Sequence, residues 1–146
     1  MTAPILVFGW GNPGRGDDAL GPLFVERIEA MNLPGVECLT DFQLQVEHAL
    51  DLKERQRVLF VDASVDTATI TATRIEASRD TTFTSHAMSP QSVLQTYLDI
   101  EKATPPPSWQ LAIGAHSFDL GEPLSKLAAH NLDAALAWAV DWLTGK

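Results

Sequence analysis

Asp17, Asp18, Asp62 and His86 are the residues of this chain whose types and placement could do chemistry. The two adjacent acids follow Gly9-Trp10-Gly11-Asn12-Pro13-Gly14-Arg15-Gly16, a run of glycines and prolines that breaks out of the apolar stretch Ile5 to Phe8. Asp62 closes the apolar run Val58-Leu59-Phe60-Val61, and His86 stands in Thr84-Ser85-His86, just before a helix start at Ser89-Pro90. Polar residues directly after buried strands sit where an open α/β sheet keeps its ligands, in the crevice beyond the strands' carboxyl ends. Two carboxylates and one imidazole form an O/O/N donor set that suits a borderline divalent ion such as nickel, zinc or manganese, with positions left for water or substrate. Taken singly, each residue also has a structural reading: Asp17 as a helix cap, Asp62 as a turn residue, His86 as a loop histidine with one hydrogen bond. The three places together point to a site. A resident catalytic zinc normally shows a local pair such as His-Glu-x-x-His, which is absent, so a tightly held metal is not expected.

Other chemistries fit less well. Ser64 and Ser85 lie near the acid and the histidine, but there is no Gly-x-Ser-x-Gly elbow for a serine nucleophile. Gly9-x-Gly11-x-x-Gly14 has the spacing of a dinucleotide cradle, yet Pro13 and the acids after Gly16 put negative charge where a pyrophosphate needs bare amides. The single cysteine, Cys38, cannot form an internal disulfide and reads as a buried strand thiol. Nineteen acids against ten Lys and Arg give a net charge of −9, which argues against a phosphate-backbone binder, so no nucleic-acid partner is expected. Neither a secretory signal nor a membrane-length apolar run is present, so a cytoplasmic protein without a membrane partner is expected.

The elements that must position these groups follow from apolar patterning. Ile5–Phe8, Val36–Leu39, Val58–Val61 and Leu111–Ile113 are short apolar strand candidates, and the alternating, β-branched 68–76 segment suggests a more exposed strand. Leu20, Leu23, Phe24, Ile28 and Met31 give one helical face after Asp17, and Val46, Leu50 and Leu52 a shorter helix. A third helix starts at Ser89-Pro90 and ends before the triple proline at 105–107; a fourth spans about 124–143, with Leu127, Ala128, Leu132, Leu136 and Val140 facing inward. The order β-α-β-α-β-β-α-β-α predicts one α/β domain over residues 1–146. Its expected form is three-layered, a twisted, mainly parallel sheet of about five strands with helices on both faces. Trp138 and Trp142, four apart on the last helix, are expected to face the core.

The segment Gly11-Asn12-Pro13-Gly14-Arg15-Gly16-Asp17-Asp18-Ala19-Leu20-Gly21-Pro22 closely resembles the opening of the hydrogenase maturation proteases, Gly-Asn-x-x-x-x-Asp-Asp/Glu-Gly-x-Gly. Val61-Asp62-Ala63, Ser85-His86 and Gly121-Glu122-Pro123-Leu124-Ser125 agree in order and spacing, so the resemblance spans nearly the whole chain. It implies an endopeptidase, of aspartic type and metal-dependent, that removes the C-terminal extension of a nickel-iron hydrogenase large-subunit precursor once nickel is inserted. It also implies Asp18, Asp62 and His86 as metal contacts, with Asp18 and Asp62 as the catalytic carboxylates. The nickel would arrive in the precursor, and no tightly bound resident cofactor is expected. Asp17 would cap the helix or support Asp18. Ala19 stands where many relatives have glycine, and Asp41-Phe42-Gln43-Leu44-Gln45-Val46-Glu47-His48 replaces an Asp-Gly-Gly-Thr-type turn. That replacement looks closer to the branch serving soluble NAD(P)-linked bidirectional hydrogenases. Gln43 and Glu47 could line the cleft, or Glu47 and His48 could be solvated positions on a short helix; His116 could sit at the rim, and His130 packs or lies on a surface face. Two alternatives remain open: a non-catalytic nickel-dependent chaperone, and a peptidyl-tRNA hydrolase, whose opening Gly9 to Gly14 resembles but whose later segment is missing.

Overall fold

The computed structural model describes residues 2–80 and 88–145. Five strands, β1 (Ile5–Trp10), β2 (Val36–Asp41), β3 (Arg57–Ser64), β4 (Ile70–Ile75) and β5 (Ser108–Gly114), form one sheet in the order β2-β1-β3-β5-β4. All neighbouring pairs are parallel except β4 with β5. Three α-helices, α1 (Leu20–Ala30), α2 (Pro90–Glu101) and α3 (Lys126–Thr144), complete the layers, with 3-10 turns at Gly16–Ala19 and Val46–Leu52. The α/β class, the mainly parallel sheet and the helices on both faces are as the sequence patterning implies.

Alternation along the central strands builds two cores. On one face Val7, Leu59, Val61, Leu111 and Ile113 pack under α1 and α3; on the other Leu6, Phe8, Val58 and Phe60 pack under α2 and the 46–52 segment. Helix α1 buries Leu20, Phe24 and Ile28, whereas Met31 falls at its C-cap and is exposed. Helix α3 buries Ala128, Leu132, Ala135, Ala139 and Leu143 at three- and four-residue spacings, so the inner face is set largely by alanines that let the helix approach the sheet, and Leu127 turns outward. Trp138 and Trp142 face the core as expected, half-buried and packed against its edge. They stack at 6.1 Å between ring centres, Trp109 meets Trp142 edge-on at 5.3 Å, and Arg57 covers the Trp142 ring at 4.3 Å.

Two strands run further than their apolar stretches suggest. β1 continues through Gly9 to Trp10, because β2 keeps pairing as far as Asp41, and Trp10 is buried edge-on to Phe60. β3 continues through Asp62 to Ser64, because β5 pairs it as far as Gly114. Asp62 is therefore a strand residue rather than a turn residue, on the same side of the sheet as Phe60.

Candidate functional site

The chain leaves β1 toward β2 on one side, while β3 lies on the other, so the strand order reverses between β1 and β3. Such a reversal splays the connections apart and leaves a crevice at the carboxyl ends of the two strands. Asp18 follows β1, and Asp62 lies near the end of β3. Because Gly9 pairs with Val61, the chain leaving β1 passes beside Asp62.

Asp18 is held by the turn it belongs to. Its Oδ2 accepts the Asn12 N–H at 2.8 Å, and Asn12 Oδ1 accepts the Gly14 N–H at 2.8 Å, so Asn12 organises the loop on both sides. Gly11, with φ of 145°, could not be replaced without strain: an added Cβ would run into the Asp18 carbonyl and come within 3.2 Å of its Oδ1. Gly21 serves the same end by close approach, since a Cβ there would collide with the Trp10 backbone against which α1 starts.

Burial pushes the Asp62 carboxyl up to about 7; the Ala63 N–H pulls it back, and the charge of Asp18 adds to the rise. The Asp18 contribution shows that the two carboxylates sense one another across the reversal point. A carboxyl group that ionises near neutrality, beside a second carboxylate in a strand-end crevice, can exchange a proton with water or close around a cation.

Asp17 points the other way. It is fully buried and accepts four hydrogen bonds: from the His116 N–H at 2.7 Å, the Ser117 N–H at 3.1 Å, the Ser125 N–H at 2.7 Å and the Ser125 hydroxyl at 2.8 Å. Burial raises its pKa, but the bonds from Ser125, His116 and Ser117 outweigh that and hold it below the ordinary carboxylate value. Asp17 makes no cap for its own turn. It clamps the loop after β5 and the start of α3 onto the loop that carries Asp18, with Ser125 Oγ also accepting the Ala128 N–H as the N-cap of α3. Backbone bonds Asp17 N–H to Ser117 O, Gly16 N–H to Glu122 O and Gly121 N–H to Gly14 O reinforce the clamp.

His86, with Thr84 and Ser85, lies outside the described residues, and among the described residues no cluster of three or more His, Cys, Asp or Glu is poised to hold a metal. His48 is not solvated. Its ring is buried edge-on against Phe8 at 4.5 Å, its Nδ1 accepts the Gln45 N–H at 2.8 Å, and its Nε2 meets Asp41 Oδ2 at 3.2 Å. An accepting Nδ1 leaves the proton on Nε2, so the ring ties the 46–52 segment to the end of β2. Gln43, Glu47, His116 and His130 are exposed, and His116 lies two residues after the end of β5. The partly buried Cys38 lines a separate cleft of about 580 Å³ with Glu29 and Glu37. Burial, then those two acids, push its thiol up to about 11, which leaves it a poor nucleophile.

Next to the loop that leads to Asp18, the residues Gly11, Pro13, Pro22, Thr40, Asp41 and Phe42 line a mainly apolar cleft of about 300 Å³. The Phe42 side chain stands 65% exposed at its mouth.

No family model and no curated protein matches the sequence. Solved structures do. The hydrogenase maturating endopeptidase HybD from Escherichia coli superposes with a TM-score of 0.76 at 22% identity, over 97% of this chain and 92% of that one. The nickel-iron hydrogenase maturation protease HycI from Thermococcus kodakarensis gives a TM-score of 0.72 at 20% identity, over 97% and 93%. A hydrogenase 2 maturation peptidase from a Thaumarchaeota archaeon gives 0.69 at 21%, over 95% and 97%. The whole chain is thus similar in fold to these endopeptidases.

Proposed function

We propose that this chain is an endopeptidase that removes the C-terminal extension of a nickel-iron hydrogenase large-subunit precursor after nickel insertion. The observation that carries the reading is the pair Asp18, after β1, and Asp62, near the end of β3, on the two strands that flank the reversal point, with the Asp62 carboxyl pushed up to about 7 by burial. Whole-length likeness in fold to hydrogenase maturation endopeptidases supports it. So does the opening motif Gly11-Asn12 to Asp17-Asp18, whose parts have distinct jobs here: Gly11 makes room, Asn12 shapes the loop and holds Asp18, and Asp17 clamps that loop to the start of α3.

In this reading the nickel belongs to the precursor. Asp18 and Asp62, with His86 as the third contact, complete the coordination of an ion that the substrate already holds, so that only the nickel-loaded form seats its tail beside the carboxylates. Water attack on the scissile carbonyl is assisted by one of the two carboxylates. Asp62 has the pKa suited to taking a proton near pH 7 and returning it to the leaving amine, while Asp18, held by the Asn12 amide, keeps a fixed orientation. In this reading the protein works in the cytoplasm. No helix among the described residues is long and apolar enough to cross a membrane. The Asp41–His48 segment, which replaces an Asp-Gly-Gly-Thr-type turn, supports the branch serving soluble NAD(P)-linked bidirectional hydrogenases as its substrate. The test is incubation of the precursor of such an enzyme with the wild-type, Asp18→Asn and Asp62→Asn proteins: the wild type shortens the precursor and both variants leave it intact.

A further inference from the structure

The geometry points to the cleft of Gly11, Pro13, Pro22, Thr40, Asp41 and Phe42 as a subsite that seats one apolar side chain of the precursor, within two residues of the scissile bond. The inference rests on the protease reading and adds to it the side-chain chemistry that the enzyme selects. Four observations carry it.

The cleft adjoins the residue that carries the first carboxylate: Gly11 lines it, and the missing Gly11 Cβ leaves room for the Asp18 carbonyl, with Asp18 Oδ1 next nearest. An extended chain with its backbone at the carboxylates therefore has a neighbouring side chain within reach of the cleft, since successive side chains of an extended segment stand only about 3.3 Å apart along it. Its size is right for that role. About 300 Å³ lies at the lower limit of small-molecule pockets, too small for a large cofactor and ample for a side chain.

Its walls are apolar and rigid. Pro13 and Pro22 have fixed φ and no N–H to satisfy, and the backbone beneath is pinned by the Gly11 N–H to Asp41 O bond at 3.0 Å and the Phe42 N–H to Asp41 Oδ1 bond at 2.7 Å. The seat exists before substrate arrives, which lowers the ordering cost of binding. Finally, Phe42 is 65% exposed, an unfavourable exposure that an apolar occupant would relieve, while Asp41 in the lining repels an acidic one.

Processing kinetics test this with nickel-loaded precursor and wild-type, Phe42→Ala and Phe42→Leu proteins. Mass spectrometry of the released peptide locates the bond. Each apolar residue within two positions of the bond is then changed to Ala in separate precursors. The expected result is a rise in KM of about tenfold for Phe42→Ala with kcat within about twofold, and near-wild-type behaviour for Phe42→Leu. One precursor position should lose its sensitivity to Ala when Phe42 is also Ala, as coupled partners do. If the wild type cuts and Phe42→Ala matches it, or changes kcat alone, or couples to no position, the subsite is refuted while the protease reading stands. If the wild type cuts nothing, both fall.

Discussion

Replacing Asp62 by Asn should make the protein more stable and inactive at once. The carboxyl is pushed from an ordinary 3.8 to about 7, chiefly by burial, so between those values the folded state holds a proton that the unfolded state has released. Stability then falls as pH rises, by about 1.4 kcal/mol per unit, from near pH 4 until the folded group itself ionises near pH 7. The ceiling on this cost is about 4 kcal/mol at pH 8, which for a chain of this length corresponds to roughly 10 °C in Tm. Asparagine is nearly isosteric, carries no charge and escapes the cost. Urea unfolding of chelator-treated wild-type and Asp62→Asn proteins at pH 4.5, 6, 7 and 8 measures the difference directly. The gap in unfolding free energy should be small at pH 4.5, widen in favour of the variant up to pH 7 and then level off. Parallel stability curves for the two proteins would show that Asp62 ionises like a solvated acid, and the argument for a poised carboxyl at the β1/β3 reversal would be wrong.

Asp17→Ala should cost about 3 kcal/mol or more in urea unfolding, because three N–H groups and one hydroxyl lose a charged acceptor inside the fold. The lowered Asp17 pKa also means that its stabilisation is complete above pH 3.8 and is lost as pH falls through the still lower folded value, so the variant should lose the corresponding part of the acid limb of the stability curve. Gly11→Ala should fold with reduced stability and lose processing, because the new Cβ displaces the Asp18 carbonyl; processing at the wild-type rate would contradict the packing described. Iodoacetamide at pH 7 should label Cys38 slowly and leave processing unchanged, as should Cys38→Ser, since a thiol pushed up to about 11 is almost wholly protonated there.

Much of the fold was legible because its elements are separated by strong local signals. Apolar runs mark the four parallel strands, Ser89-Pro90 starts α2 with the Ser89 side chain accepting the Ser92 N–H, and Ser125 does the same for α3. The misread features depend on partners far along the chain. Of the two readings of Asp17, a helix cap or a support for Asp18, the cap fails: its donors lie about a hundred residues away, and nothing in Gly16-Asp17-Asp18 announces them. His48 looks like a surface residue of a short helix; its burial comes from Phe8 and Asp41 on two different strands. Leu127 fits a helical stripe as well as Ala128 does, and only the close approach of α3 to the sheet decides that alanine faces inward. At the site, Asp18 and Asp62 could be picked out as strand-end acids. Their mutual influence required the strand order, because β3 follows β1 in space but comes third in sequence.

The central claim is that this chain cuts a hydrogenase precursor in response to its nickel. The most direct measurement is mass spectrometry of a large-subunit precursor from the same cell, loaded with nickel or nickel-free, before and after incubation with the protein. The account predicts loss of a C-terminal peptide from the nickel-loaded form alone. Equal shortening of both forms would contradict the role of the metal, and an intact tail on the loaded precursor would contradict the protease itself.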